Sequence, residues 1–430
     1  MLMTPPSLPV LAAAIGIDWA DDHHDVALQP LDGSDPSTIE MQRLPHTPDA
    51  IARWLAALAT RFAGRPVGIA VETSRGPLVH ALLEAPFVTL YPVNPRSLKR
   101  FREVFSPNGA KDDVPDARLL LTLLVRHRDH LRAWHPADPN TRELRALCEY
   151  RRAAVELQTQ LTQRLQATLK EYFPQALAWA GDDLASPMAC QFLQRWPTLA
   201  AVQRARPTTV RRFYTAHGCR QRARLEARLA DIPRAVPLTR DPAILASRVP
   251  YVQLLTSQLL VLAPQITKLD AAIAACFARQ PDAALFASFP GAGAVFAPRL
   301  AAAFGTDRTR FPSAADLARH TGIAPITVRS GQQSQVHWRW ATSTFLRQTF
   351  HEFALHSRRH CAWARAFFHD QRQRGKSKHA ALRALAFKWI RILWRCWQDG
   401  VPYDDARYQR ALAQRHSPLA KLLSPNAVPA

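Results

Sequence analysis

Four acids in the amino-terminal third of the chain stand where phosphodiester chemistry would need them. Asp18 ends the apolar stretch Ile15-Gly16-Ile17-Asp18, and Glu72 ends a second, Val67-Gly68-Ile69-Ala70-Val71-Glu72. Asp113 and Asp116 lie in Lys111-Asp112-Asp113-Val114-Pro115-Asp116-Ala117, ahead of a plainly helical run. An Asp-x-x-Asp pair at a helix start puts two carboxylates about one turn apart on one side, and Pro115 suits a first helical turn. Cleavage or strand transfer with two magnesium ions needs several hard oxygen ligands converging on ions about 4 Å apart. Singly, each acid has an ordinary alternative. Asp18 could terminate a strand, Glu72 could cap a helix, and Asp113 or Asp116 could favour the positive end of a helix dipole. The four in this order favour a metal site of Asp18, Glu72, Asp113 and Asp116. Asp112 is the alternative to Asp113, spaced four rather than three from Asp116.

The elements that must hold these acids form an α/β domain over residues 10–130. Three β-like segments come first (10–20, 24–31 and 37–45), the first nearly all apolar, as a central strand would be. A helix around 48–62, a strand at 67–73, a segment after Gly76-Pro77, a strand at 87–93 and a helix at 95–105 follow. Three antiparallel strands and then alternating helix and strand is the order of an RNase H-like sheet, although pattern alone leaves other α/β orders open.

Long helices are expected next, within a region spanning 141–280. The first, over 141–172, repeats Leu157, Leu161, Leu165 and Leu169 at i+4. The second, over about 250–277, carries Leu255, Leu259, Leu262, Ile266, Leu269 and Ile273 and contains Pro264. Such stripes read as packing or dimer seams, and the two helices could pair as an antiparallel arm. Between them, 204–228 holds eight arginines and one acid, Glu226, with Phe213 and Tyr214 interleaved. Arg204, Arg206, Arg211 and Arg212 are the phosphate contacts expected there, against the plain alternative of a solvated face.

A compact second domain is expected over 283–360. Phe289-Pro290-Gly291-Ala292-Gly293 between apolar segments has the grammar of a helix-hairpin-helix turn, where Gly291 and Gly293 let backbone N–H groups approach a phosphate. A bare tight turn is the alternative. Ser330-Gly331 is read as part of a polar loop after Pro325, before the basic and aromatic stretch His337-Trp338-Arg339-Trp340. A serine is a poor nucleophile unless it is activated. No histidine at telling spacing supports a hydrolase triad, and there is no Gly-x-Ser-x-Gly elbow. Metal-bound carboxylates from another domain would make its chemistry coherent. Residues 361–430 read as a basic, Trp-rich helical tail. There Arg372, Arg374, Lys376 and Lys378 could meet a phosphate backbone, and Trp389, Trp394 and Trp397 either pack inside or stack on bases.

Charge agrees with a nucleic-acid partner. Lys plus Arg number 56 against 34 Asp plus Glu, a formal +22 in 430 residues. Six cysteines without a Cys-x-x-Cys pair argue for a reduced compartment and against a zinc knuckle. The early apolar stretch Val10 to Ile17 is too short for a membrane span and lacks the basic flank of a signal peptide, so a cytoplasmic, nucleoid-associated protein with no membrane partner is expected.

Ile-Gly-Ile-Asp18-Trp-Ala, Val-Glu72-Thr-Ser-Arg and Gly-Ala-Lys111-Asp-Asp113-Val-Pro-Asp116-Ala-Arg together resemble the amino-terminal domain of IS110-type transposases, the DEDD group, whose sheet is similar to that of the RuvC resolvase. The resemblance implies that the family's Asp, Glu, Asp, Asp tetrad falls on Asp18, Glu72, Asp113 and Asp116, holding Mg2+ as two ions. Phe289-Pro-Gly-Ala-Gly293 and Gly322-Ile-Ala-Pro325-Ile-Thr-Val-Arg-Ser330-Gly331 are similar to the family's carboxy-terminal transposase domain, which puts its nucleophilic serine on Ser330. By this resemblance Ser330 forms a covalent 5′-phosphoserine intermediate. A structured noncoding RNA of the element guides recombination with double-stranded DNA, and a coiled-coil arm joins the domains and supports a homodimer assembling to a tetramer. Asp112 stands where members carry a small hydroxyl residue. After Ser330, Gln332, Gln333 and Ser334 replace a glycine-rich, basic stretch, leaving Arg339 and Arg347 as the basic contacts there. The rival readings are a metal-dependent, resolvase-like nuclease without serine chemistry and an inactive nucleic-acid-binding remnant.

Overall fold

A computed structural model of the chain describes residues 10–31, 38–72, 74–105, 116–219, 221–331, 333–337, 339 and 342–423. Its chain divides into two compact units, 1–136 and 137–430.

The first unit is a mixed sheet flanked by helices. Its elements run β1 (Ala13–Asp18), β2 (His23–Pro30), β3 (Glu40–Pro45), α1 (Pro48–Arg61), β4 (Val67–Val71), α2 (Pro77–Leu82), β5 (Val88–Pro92), α3 (Pro95–Phe105) and α4 (Asp116–Arg126). The strand order is β3-β2-β1-β4-β5. β1, β2 and β3 pair antiparallel, whereas β4 pairs parallel with both β1 and β5. Both the order and the polarity match the expectation for an RNase H-like sheet. β1 is central and buried on both faces, which explains its almost unbroken apolar run. α1 is set by Thr47, whose hydroxyl accepts from the Ala50 N–H, and by Pro48 in the first turn. Its Ile51, Trp54 and Leu58 face the sheet core. α4 covers the opposite face through Leu120, Leu121 and Leu124.

The second unit is mainly helical. α5 (Pro139–Tyr172) and α11 (Pro242–Ala278) pack along each other, capped by Asp138 and Asp241. The pairs Arg279–Glu143 at 2.7 Å, Arg151–Asp270, and Arg248–Glu171 at 2.5 Å run in opposite senses along the two helices, so they are antiparallel. Leu161, Leu165 and Leu169 are buried, but Leu157 is exposed. Of the α11 stripe, Leu255, Leu259, Ile266 and Ile273 are buried, while Leu262 and Leu269 are half-buried. α11 is also long and apolar enough to cross a membrane by composition. The element it packs along, however, is α5, with charged pairs spread over its length.

At one end of this pair sits a helical insertion of α6 (Ala176–Trp179), α7 (Pro187–Arg195), α8 (Leu199–Gln203), α9 (Pro207–Ala216) and α10 (Arg222–Asp231). Phe173, Trp179, Phe192, Trp196, Phe213 and Tyr214 build its core with Leu165 and Leu255. At the other end Leu144, Cys148, Ile273 and Cys276 enter a second core. That core gathers α12 (Ala283–Ala287), α13 (Gly293–Phe304), α14 (Ala314–His320), α15 (Thr344–Ser357), α16 (Ala362–Gln373), α17 (Lys378–Asp399), α18 (Asp405–Gln414) and α19 (Pro418–Lys421). A two-stranded hairpin, β6 (Ile326–Ser330) and β7 (Gln333–His337), interrupts the helices.

The tryptophans after residue 361 belong to this core. Trp389 donates to Ser357 Oγ at 2.9 Å, Trp394 to the Phe311 carbonyl at 2.8 Å and Trp397 to the Gly305 carbonyl at 3.2 Å. Trp389 and Trp397 are fully buried, each worth on the order of 2–3 kcal/mol of hydrophobic burial. Base stacking by these two rings is thereby ruled out.

Candidate active site

The parallel register of β1 and β4 decides how the first two acids meet. Ile17 lies opposite Val71, so Asp18 and Glu72, the next residues of the two strands, emerge together at one edge of the sheet. α4 begins with Asp116, and burial together with the nearby Asp18 and Asp116 carboxylates pushes the Glu72 carboxyl above its usual range. The Arg102 guanidinium pulls the other way. Three acids from three elements therefore share one electrostatic neighbourhood. Asp113, with Lys111 and Asp112, lies outside the described residues.

Sequence reasoning passed over two residues at this edge. Gly16 lies where α4 crosses β1, and a Cβ built on it would sit 2.0 Å from the Ala117 carbonyl oxygen and 2.4 Å from the Leu121 nitrogen. Only a hydrogen side chain lets α4 come this close, one residue after Asp116. The signal was a glycine inside an otherwise buried strand, which marks close backbone approach. Arg102 on α3 grips Asp116 with two hydrogen bonds, Nε to Oδ1 at 2.9 Å and a shorter one from Nη2 to Oδ2. No spacing rule connects it to Asp116, fourteen residues on.

Among the described residues, no three acid, histidine or cysteine side chains converge as they would around an ion. The donor set nonetheless suits a hard divalent cation. It is all carboxylate oxygen, and the repulsion that Asp18 and Asp116 exert on Glu72 is of the kind a cation relieves.

In the second unit Ser330 ends β6, paired with Gln333 of β7, so it stands at the tip of a hairpin. The sequence reading of a polar loop is corrected here. Ile326, Thr327 and Val328 are β-branched residues of strand type, and Gly331, at φ 57°, makes the tight reversal. Gly291 and Gly293, at φ 77° and 48°, turn the chain between α12 and α13. At Gly291 a Cβ would lie 2.8 Å from the His360 ring, whereas Gly293 faces open space. Arg339 is half-buried, its carbonyl accepting from Arg347 Nη1 at 3.4 Å.

The basic candidates divide by what holds them. Arg204, Arg206, Arg211 and Arg212 are exposed. Arg211 and Arg212 share one face of α9 with Thr208 and Thr215, and Arg211 also pairs with Glu226. Phe213 and Tyr214 are buried in the insertion core, which removes the interleaved aromatics as a nucleic-acid signal. Arg228, counted in the same charge run, is buried over the Tyr214 ring and donates to the Ala178 carbonyl at 3.2 Å. Arg372, Arg374, Lys376 and Lys378 are all exposed around the turn between α16 and α17. There Arg374 pairs with Asp370 and Arg372 donates to the Lys376 carbonyl at 2.6 Å.

Comparison with known families matches both halves. The model of the IS110 DEDD transposase domain matches residues 15–174, and that of the IS116/IS110/IS902 transposase family matches 283–369. Together they span more than half of the chain, including both the acid edge and the Ser330 hairpin. The chain belongs to the IS110/IS116/IS902 family of transposases. Three relatives align over nearly their whole length. A Streptomyces coelicolor mini-circle protein, named as a candidate transposase for IS117, is 28% identical over 94% of this chain and 98% of its own. A 44.8 kDa protein of insertion element IS116 from Streptomyces clavuligerus is 28% identical over 90% of this chain and 94% of its own. A 42 kDa protein of insertion element IS900 from Mycobacterium paratuberculosis is 27% identical over 90% and 95%.

Proposed function

We propose that this transposase exchanges DNA strands through a covalent 5′-phosphoserine formed by Ser330, with Mg2+ held by Asp18, Glu72, Asp113 and Asp116. The observation that carries the reading is the edge where Asp18 and Glu72 emerge side by side beside Asp116. Bound Mg2+ would supply Lewis-acid stabilisation of charge on the phosphate and leaving oxygens. Ser330 Oγ forms a bond to phosphorus while the P–O3′ bond breaks. The serine proton ends on the departing 3′ oxygen, leaving a 3′-hydroxyl and a 5′-phosphate on the protein. The carboxylates belong to one unit and the serine to the other, so the reading requires both units at one scissile phosphate.

Double-stranded DNA at element ends and target, and a guide RNA of the element, are the proposed partners. The exposed arginines Arg204, Arg206, Arg211 and Arg212, the turn at Gly291 and Gly293, the Arg339 and Arg347 pair, and the exposed Arg372, Arg374, Lys376 and Lys378 are the proposed phosphate contacts. In this reading the α12–α13 turn works as a helix-hairpin-helix. The α5–α11 pair acts as a coiled-coil arm in a dimer that assembles to a tetramer at the nucleoid.

The test is cleavage of labelled element-end DNA by the full chain with its element RNA. Cutting should need Mg2+, stop with EDTA, and fall at least about 100-fold in Asp18→Asn, Glu72→Gln and Asp116→Asn. Cutting that survives all three substitutions would refute the metal site. Cutting that does not need the RNA would refute guidance.

A further inference from the structure

The strongest feature the proposed chemistry leaves unused is the positive charge inside the acid edge. Arg102 does not point to solvent. Its guanidinium binds both oxygens of Asp116, the fork-to-carboxylate geometry that makes such pairs strong. The two side chains retain only 28% and 20% of their exposure. α3 is fixed in this attitude by Leu98, fully buried, and by Phe101, which packs onto the cluster beneath α4. Its remaining cations, Arg96, Lys99 and Arg100, are exposed. The guanidinium thus stands at a carboxylate that the proposed site assigns to the ion. It offsets part of the repulsion among Asp18, Glu72 and Asp116.

We propose that Arg102 is a counter-ion latch, holding Asp116 in the metal-free protein and yielding it to the divalent ion when a nucleic-acid phosphate takes up the guanidinium. This rests on the metal-site reading above, and it adds a coupling between metal and nucleic acid. Arg102 already occupies both oxygens of Asp116, and a divalent ion drawn to the same carboxylate would be repelled by the guanidinium at close range, so metal and Arg102 compete for Asp116. A phosphate brought along the exposed basic residues of α3 offers Arg102 the same bidentate partner that it gives up. The acid edge would therefore load metal weakly when idle and more tightly when substrate lies across α3. A device of this kind limits metal-dependent cutting without bound nucleic acid.

The test uses the full chain, stripped with EDTA, and titrates Mn2+ by electron paramagnetic resonance without nucleic acid. Arg102→Gln should bind Mn2+ roughly tenfold more tightly than wild type, since a half-buried bidentate pair lies between weak surface pairs and strong buried ones. Arg102→Lys, which keeps the charge, should stay near wild type. A short phosphodiester duplex should then tighten Mn2+ binding in wild type and much less in Arg102→Gln. Unchanged or weaker Mn2+ binding by a folded Arg102→Gln would overturn the latch, because a purely structural arginine loosens the site when removed. If Arg102→Gln does not fold, the duplex effect in wild type and Arg102→Lys decides, and its absence in both overturns the proposal. Asp18→Asn separates the two claims. If it leaves Mn2+ binding intact, the metal site itself is wrong. If it abolishes binding while Arg102→Gln does not tighten it, only the latch is wrong.

Discussion

Gly16→Ala is the sharpest test of how the fold positions the acids. The added Cβ would enter the α4 backbone at 2.0 Å from the Ala117 oxygen and 2.4 Å from the Leu121 nitrogen, with Leu120 Cβ at 3.0 Å. Ala117 and Leu121 stand four apart, so the methyl would press on the hydrogen bond joining that helical turn. An ordinary carbon-to-oxygen approach is roughly 3.3 Å or more, so the helix must retreat by more than about 1 Å. Overpacking typically costs about 1–3 kcal/mol. The obstruction here is backbone, which no rotamer change relieves, so the cost belongs at about 3 kcal/mol. For a unit of this size that lowers its melting temperature by about 10 °C. The displaced helix begins with Asp116, so cleavage should fall by roughly 100-fold even below the melting temperature, as for a misplacement of about 1 Å. Gly68→Ala is the internal comparison. Its Cβ would meet the tip of Leu11 at 2.6 Å, a flexible side-chain end that can move aside, and the loss should be under about 1.5 kcal/mol. Calorimetry and a cleavage time course measure both. A Gly16→Ala protein that melts within about 2 °C of wild type and cuts normally would refute the close packing of α4 on β1.

Glu72 is raised above its ordinary value of 4.5 by burial and by Asp18 and Asp116. The stability it contributes is therefore present below its unfolded pKa and lost as pH rises through the folded one. In EDTA, Glu72→Gln should melt higher than wild type at pH 7.5 and lose that advantage below pH 4.5; a lower melting point at pH 7.5 would contradict the shift. Arg299 is buried between the Phe296 and Phe345 rings, donating to Thr349 at 3.0 Å and Glu352 at 2.9 Å. Arg299→Met removes the buried partner of Glu352, whose side chain is 34% exposed and keeps Arg152, and should cost about 2 kcal/mol, between surface and buried ion pairs, read by urea denaturation; a loss within error would mean the pair contributes nothing. Arg211→Ala with Arg212→Ala should lower the slope of log affinity against log salt by about 2 in nucleic-acid binding. An unchanged slope would show that the α9 face is only solvated.

The sheet was legible because each strand had a simple one-dimensional signature. β1 is a continuous apolar run because it is buried on both faces, and the small sequence separations between the three leading strands leave few alternatives to antiparallel pairing. Asp18 and Glu72 could be expected at one edge of the sheet because the ends of adjacent strands share an edge. Asp116 was placed by its position at a helix start. What escaped were contacts between elements distant in sequence. Arg102 reaches Asp116 from a separate helix, and Gly16 meets Ala117 across a packed interface. Neither pairing leaves a periodic trace. The Ser330 hairpin was read as loop because only five residues form each strand and Gln, Ser and His crowd the second. Phe213, Tyr214 and Arg228 counted toward a nucleic-acid signal because charge and aromatic content are visible in sequence, whereas the side of α9 and α10 that faces a core is not.

The most direct test of the central claim is adduct trapping. Full-length protein, Mg2+, the element's RNA and end-labelled element DNA would be run on a denaturing gel beside Ser330→Ala and Asp18→Asn. A labelled protein–DNA band in wild type, absent from both variants, is the predicted result. DNA cut without an adduct, and cut equally well by Ser330→Ala, would contradict serine chemistry and leave a metal-dependent nuclease in its place.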